Sequence, residues 1–471
     1  MKREILKSLQ KNMRDLNEIL NVNKNFDLVN RKLQVAEKDA CLYFVDGFVK
    51  DEVLEKLLEF FRSMKPEELK PEGREFSDRF VPYVEVETLT LQEEICTQIL
   101  SGVACLLIDG CDVCLAIDCR TYPMRSVEEP EKDKVLRGSR DGFVETLVFN
   151  TALIRRRIRS PKLSMEMLSA GELSKTNIVL CYMEDRVDKE LLGIVKNRIE
   201  NLKVEALTMN QESLAECLYR GQWFNPFPKF KYSERPDAAA AGILEGKLVI
   251  LVDNSPSAMI LPASIFDIME EADDFYFPPV TGTYLRVTRF FIGLMTIFLT
   301  PLWLLFLQNP DWIPKAFAFI KVKETINIPI YFQLLILELS IDGLKLAAIN
   351  TPSNLTTPLS VIAAIVVGEF AVKSGWFNSE TMLYMAFVAM ANYMQADYEL
   401  GYALKFMRLI LLTLTALLDL WGFLAGLILL VVFLMGNKTV SGKSYLAPLF
   451  PFNGKQFVRR FLRKRLTHFY E

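Results

Sequence analysis

With 471 residues the chain has room for roughly two to four domains. Its 55 basic residues nearly balance 58 acidic ones, so nucleic acid is not an expected partner. The single histidine, His468, lies in the C-terminal tail, which excludes a His-based catalytic triad or a histidine metal cluster.

The near-neutral average conceals a division. Up to about Phe277 the chain is rich in charge and reads as soluble; from Tyr284 onward it is mostly Leu, Ile, Phe, Val and Ala. The opening "MKREILKSLQKNMRDLNEIL" has no apolar core followed by a small-residue cleavage site, so it does not read as a signal peptide. Its spacing predicts an amphipathic surface helix within residues 1–36. All eight cysteines fall in the charged half, which suits a reducing compartment and a cytosolic placement.

Two stretches of that half read as strand, acidic tight turn, strand: "ILSGVACLLIDGCDVCLAID" from Ile99 and "ILEGKLVILVDNSPSAMILPAS" from Ile243. Each is preceded by a strand and a helix, in "ACLYFVDGFVKDEVLEKLLEFF" and "NIVLCYMEDRVDKELLGIVKNRIENL", and by a further helix around Leu91–Leu100 or Gln211–Tyr219. The repeated order predicts duplicated α/β subdomains at 37–125 and 172–278, joined by a helical connector at 126–171 that contains the basic run "LIRRRIRSPK". That run reads equally as a lipid or subunit contact and as a solvated helix face.

This half carries no Walker-type loop and no GxGxxG after a strand, so neither an enzyme nor a cofactor is expected. Cys111 and Cys114 form a CxxC with Cys105 and Cys119 nearby. A two-residue Asp109–Gly110 turn would place Cys105 opposite Cys114. Small cysteines packing a strand outweigh a thiolate zinc site, so no metal is expected.

The apolar half, 284–452, predicts a multi-helix transmembrane domain in contact with lipid. "LRVTRFFIGLMTIFLTPLWLLFLQ" is long enough to span, with Arg286 and Arg289 as its cytosolic flank. "LTTPLSVIAAIVVGEFAVKSGWF", containing Glu369, is a second apolar segment and "SETMLYMAFVAMANYMQ" a shorter third. "FMRLILLTLTALLDLWGFLAGLILLVVFLMG" is a fourth, which Asp419 beside Trp421–Gly422 is placed to break. The basic tail 453–471, with Arg459, Arg460 and Arg463, reads as a second cytosolic interface segment. Two cytosolic ends require an even number of crossings, and these four suffice if Ile328–Ile349 does not cross.

Within that last stretch lies "ELSIDGLKLAAINTP". On a helix Glu338, Asp342 and Lys345 fall within about 60° of one another, with Tyr331 in line and Leu334, Leu337, Ile341, Leu344 and Ala348 opposite. Charges facing lipid cost several kcal/mol, so the strip must meet water, protein or headgroups. Periodicity leaves two readings: a helix flat at the interface, marginally ahead, or several copies ringing a polar passage.

The blocks "NIPIYFQLLILELSIDGLKLAAINTP", "YELGYALKFMRLILL", "SYLAPLFPFN", "VEEPEKDKVLRGSRDGFVETLVFNTALIRRRIRSPKL" and "EGKLVILVDNSPSAMILP" resemble the GerA-type spore germination family over nearly the whole chain. Ala447 and the Gln395–Asp397 stretch depart from its pattern. The resemblance implies an integral protein of the spore inner membrane with both termini in the spore core. It further implies a homo-oligomer of pentamer type that passes or amplifies cation release, together with receptor-type subunits or a small membrane partner. On that reading Glu338, Asp342 and Lys345 line the passage. A non-conducting scaffold and an ion-coupled transporter using Glu369 and Asp419 are the competing expectations.

Overall fold

The computed structural model describes residues 3–65, 86–120, 134–219, 224–324, 326–351 and 369–463. The chain divides into two compact units, one built from 1–220 with 230–262, the other from 221–229 with 263–471.

The first unit holds two sheets of the same design. In the first, α1 (Leu9–Leu20), β1 (Leu28–Val35), β2 (Lys38–Val45), α2 (Asp51–Ser63), β3 (Val86–Leu89), α3 (Gln92–Leu100), β4 (Ala104–Ile108) and β5 (Cys114–Ile117) give the strand order β1-β2-β4-β5-β3. The second runs α4 (Leu147–Arg157), β6 (Leu163–Ala170), β7 (Thr176–Met183), α5 (Lys189–Glu200), α6 (Gln211–Leu218), β8 (Lys231–Ser233), α7 (Pro236–Leu244), β9 (Leu248–Val252) and β10 (Ala258–Leu261), in the order β6-β7-β9-β10-β8. Every pairing is antiparallel.

The central strands are apolar on both faces because both faces are covered. Cys41, Tyr43, Cys105 and Leu107 pack with Leu16 of α1 and Ile99 of α3, while Leu42, Leu106 and Leu115 pack with Leu57 and Phe61 of α2. In the second sheet Ile154 of α4 and Ala240 and Ile243 of α7 cover Val179, Val249 and Ile260. The expected duplication is therefore present as two antiparallel three-layer units.

Several elements differ from expectation. Residues 1–36 supply an edge strand as well as a helix, and the connector 126–171 supplies α4 and β6. β1 carries Asn30, Arg31, Lys32 and Gln34, which hide it from a search for apolar runs, and Glu166 with three small residues interrupts β6. The helix equivalent to α3 is the Ala-rich α7, not the Gln211 helix. The Asp109–Gly110 turn is part of a longer loop: Leu107 pairs with Cys114 and Cys105 with Ala116, so Cys105 and Cys114 are diagonal neighbours. Asp109 is occupied in accepting from the Leu9 amide at 3.0 Å. The basic run is not a bare solvated face either. Arg155 is fully buried and forks onto Asp27 at 3.0 and 3.1 Å.

The second unit is helical. Its main elements are α8 (Pro279–Gln308), α9 (Ile330–Asn350), α10 (Ser379–Tyr393), α11 (Tyr398–Gly436) and α12 (Gly454–Phe461). Among the described residues α8 and α11 are long and apolar enough to cross a membrane. The second apolar segment falls largely on 352–368, outside the described residues.

α11 is not one rod. Asp419 takes φ 53°, ψ −130° and the chain folds back there. A Cβ on Gly422 would overlap the Leu414 carbonyl oxygen, and one on Gly426 would lie 3.2 Å from Leu411 Cα, so the two legs pack antiparallel through glycine. The fourth expected span is thus a helical hairpin.

Candidate functional site

The site is built where α9 lies against the first leg of α11. Asp397 starts that leg by accepting the Glu399 and Leu400 amides at 2.7 and 3.2 Å, satisfying donors that a helix start leaves open. Tyr331 meets Thr413 at 3.2 Å near the top of α9, and Glu338 and Asp342 meet residues 408 and 405 below it. α9 and the leg therefore run antiparallel, lengthwise.

Glu338 accepts from Arg408 at 2.5 Å and lies 3.1 Å from Lys405 Nζ, which also pairs with Asp342. The Lys405 and Arg408 side chains are only 5% and 2% exposed, and Glu338 12%. Arg408 donates a further bond to the Thr296 carbonyl of α8 at 3.2 Å. Two acids and two bases thus neutralise one another among three helices, and no charge is left bare in an apolar setting.

The two bases come from "YALKFMRLILL", which reads as apolar helix. Their i, i+3 spacing was the available signal, since it aligns two cations on one face, as the acids of α9 align on theirs.

Lys345, the third member of the strip, takes no part in that network. Its Nζ sits 4.8 Å from the Tyr402 ring, 5.2 Å from Tyr398 and 5.6 Å from Tyr393. Leu334 and Leu337 share the inward side with Glu338, while Leu339, Leu346 and Ile349 are exposed. The strip faces other helices of its own chain and the outward face is apolar, the reverse of a surface amphipathic helix.

Glu369 and Asp419 are elsewhere. Glu369 is exposed and pairs with Lys373. Asp419 sits in the α11 turn and accepts from Asn309 at 2.7 Å. The structure does not bring either to the α9 strip.

The expected interface arginines gather at the start of α8. Arg286 pairs with Glu270 and lies 3.3 Å from Asp274; Arg289 reaches Glu271 at 2.6 Å and Asp274 at 3.0 Å. Arg460 binds Asp267 at 2.8 Å and Glu270 at 3.3 Å, and the Arg463 amide donates to Thr283 Oγ1 at 3.1 Å. Arg459 is half-buried beside them. Phe457 and Phe461 of α12 stack with Phe266, and Phe461 also with Phe290, so the tail docks at the α8 start. Arg286, Arg289, Arg460 and Arg463 engage acids or carbonyls of their own chain.

In the other unit, burial pushes the Cys96 thiol up to about 12 and the Cys119 thiol up to about 11. Cys105 is also raised, first by its hydrogen bond with Cys114 and then by burial. Among the described residues no group of three or more His, Cys, Asp and Glu side chains is arranged to hold a metal.

Comparison with known proteins follows the same outline. The sequence model of the Bacillus/Clostridium GerA spore germination protein family matches residues 14–471. Stage V sporulation protein AF of Bacillus subtilis (strain 168) is 37% identical over 438 residues, 92% of this chain and 87% of that protein. Spore germination protein GerLA of Bacillus cereus is 28% identical, covering 85% of this chain and 82% of that one. Spore germination protein A1 of Bacillus subtilis (strain 168) is 28% identical, covering 74% and 73%. Among solved structures, the N-terminal domain of the A subunit of the Bacillus megaterium spore germinant receptor GerK3 matches at TM-score 0.43 and 22% identity, over 56% of this chain and 98% of that one. The chain belongs to the GerA family of spore germination proteins.

Proposed function

We propose that this chain is an integral subunit of the germination apparatus of the spore inner membrane, and that it assembles into an oligomer through which cations leave the spore. The observation that carries the reading is the Glu338–Arg408 and Asp342–Lys405 network. Ionisable groups held between apolar helices are costly, and they mark ion pathways more often than packing. Helix lengths agree: at 1.5 Å per residue α9 covers about 31 Å, near the thickness of a bilayer core.

The polypeptide path supports an even number of crossings. α12 docks beside the start of α8, so the helical unit begins and ends at one end. α9 packs lengthwise against the α11 leg, which favours a crossing helix over one lying flat, and the α11 hairpin adds two more legs.

One observation favours the scaffold reading. Both acids of the strip are neutralised within the chain, so the resting protein offers no ring of free carboxylates. Reading the same network as a gate reconciles the two: conduction then requires Glu338 and Asp342 to part from their bases. The exposure of Glu369 and the turn position of Asp419 give the transporter no buried carboxylate pair.

The test is ion flux from liposomes holding the purified chain and loaded with potassium. Release that scales with oligomer content supports conduction. Absence of release from a well-formed oligomer, with or without receptor-type subunits of the same organism, rejects it in favour of the scaffold.

A further inference from the structure

We infer that Tyr393, Tyr398 and Tyr402 build a binding site for a small, weakly hydrated organic cation of the alkylammonium class, a site that this chain's own Lys345 fills as a tethered ligand. The inference stands apart from conduction, because it concerns what the rings hold and not what passes through the protein.

The three rings come from one corner. Tyr393 ends α10, Tyr398 and Tyr402 lie on the first turns of α11, and the Asp397 cap fixes the turn between them. Their faces converge on one nitrogen, at 4.8, 5.2 and 5.6 Å, within the range at which an aromatic quadrupole attracts a cation. Among the described residues Lys345 has no carboxylate partner: Asp342, one turn before it on α9, is taken by Lys405, and Glu338 by Lys405 and Arg408. The ammonium charge is therefore met by π faces instead of an anion. A carboxylate would also attract strongly hydrated cations such as sodium, whereas aromatic faces favour cations that shed water easily.

A second observation points to a ligand in the same place. Asn392 lines a cleft together with Lys345, Tyr393, Asp342 and Glu338. Its Oδ1 is buried without a hydrogen-bond partner. An acceptor left open in the cleft that Lys345 and Tyr393 also line is the complement of an N–H-bearing cation, and a buried unsatisfied acceptor otherwise costs stability. The tyrosines are themselves 37–56% exposed, so the corner is reachable from outside once Lys345 withdraws.

The test uses the purified full chain in detergent. Lys345→Ala empties the cage, and thermal unfolding is followed in ethylammonium chloride against sodium chloride of equal ionic strength. The variant is expected to gain about 2 °C more in ethylammonium, while the parent chain and Lys345→Ala/Tyr402→Leu do not. An equal response to both salts, or an undiminished gain without Tyr402, overturns the inference. Should Lys345→Ala not fold, the rate of Lys345 acylation in the parent chain is compared by mass spectrometry with Tyr398→Leu/Tyr402→Leu. Acylation at least about threefold faster in that variant supports the cage, and an unchanged rate rejects it.

Discussion

Arg408 reaches Glu338 at 2.5 Å from the neighbouring helix while holding the Thr296 carbonyl of a third at 3.2 Å. One buried guanidinium thus ties together three helices of the apolar half. Removing one member of such a pair strands a charge, at a cost of about 3–5 kcal/mol, whereas removing both leaves none. Arg408→Gln and Glu338→Gln are each expected to lower the unfolding temperature in detergent, and the double variant to recover part of the loss. A strictly additive double variant would show that the two residues do not act as a pair.

The helical hairpin makes a sharper steric prediction. Gly422→Ala forces a methyl into the Leu414 carbonyl, and overpacking of this kind costs about 1–3 kcal/mol. Gly343→Ala, on α9, meets nothing within 4 Å and is expected to be neutral or slightly stabilising. Thermal unfolding of the two variants should separate them clearly.

In the charged half, Arg155 and Asp27 are 0% and 1% exposed, and Asn25 beside them accepts the Met165 amide at 2.6 Å. Asp27 belongs to the first subdomain and Arg155 to the helix that opens the second. Asp27→Asn is expected to destabilise by about 3–5 kcal/mol through the stranded guanidinium. Limited proteolysis should show the linkage between subdomains becoming sensitive first.

The cysteines predict a pH effect of definite sign. Burial raises Cys41 and Cys119 to about 11 and Cys96 to about 12, so the fold favours the neutral thiol. Unfolded thiols ionise near about 8.5. The stabilisation is therefore complete below that value and is lost as pH climbs toward 11–12. At pH 8 iodoacetamide should label half-buried Cys111 and Cys217 first, leaving the buried thiols protected until the chain unfolds.

The duplication and the α9 charge strip were legible because both are periodic in the sequence. Edge strands β1 and β6 were not, since Arg31 and Lys32 break the apolar pattern of the first and Glu166 with Ser164 and Ser169 that of the second. The direction of the strip was left open for a related reason. Spacing places Glu338, Asp342 and Lys345 on one face, but only Lys405 and Arg408, hidden in an apolar run, show that this face turns inward. The Asp419 break was visible as a carboxylate in the middle of a hydrophobic stretch. That the chain reverses there depends on Gly422 and Gly426 packing against Leu414 and Leu411, a tertiary contact with no local signature.

The most direct measurement of the central claim is potassium flux from liposomes carrying the oligomer, compared with Glu338→Gln plus Asp342→Asn. The acids are proposed to border the passage, so their neutralisation should change the rate or the cation preference of release while the oligomer stays intact. Unchanged conductance and selectivity in a correctly assembled double variant would contradict it.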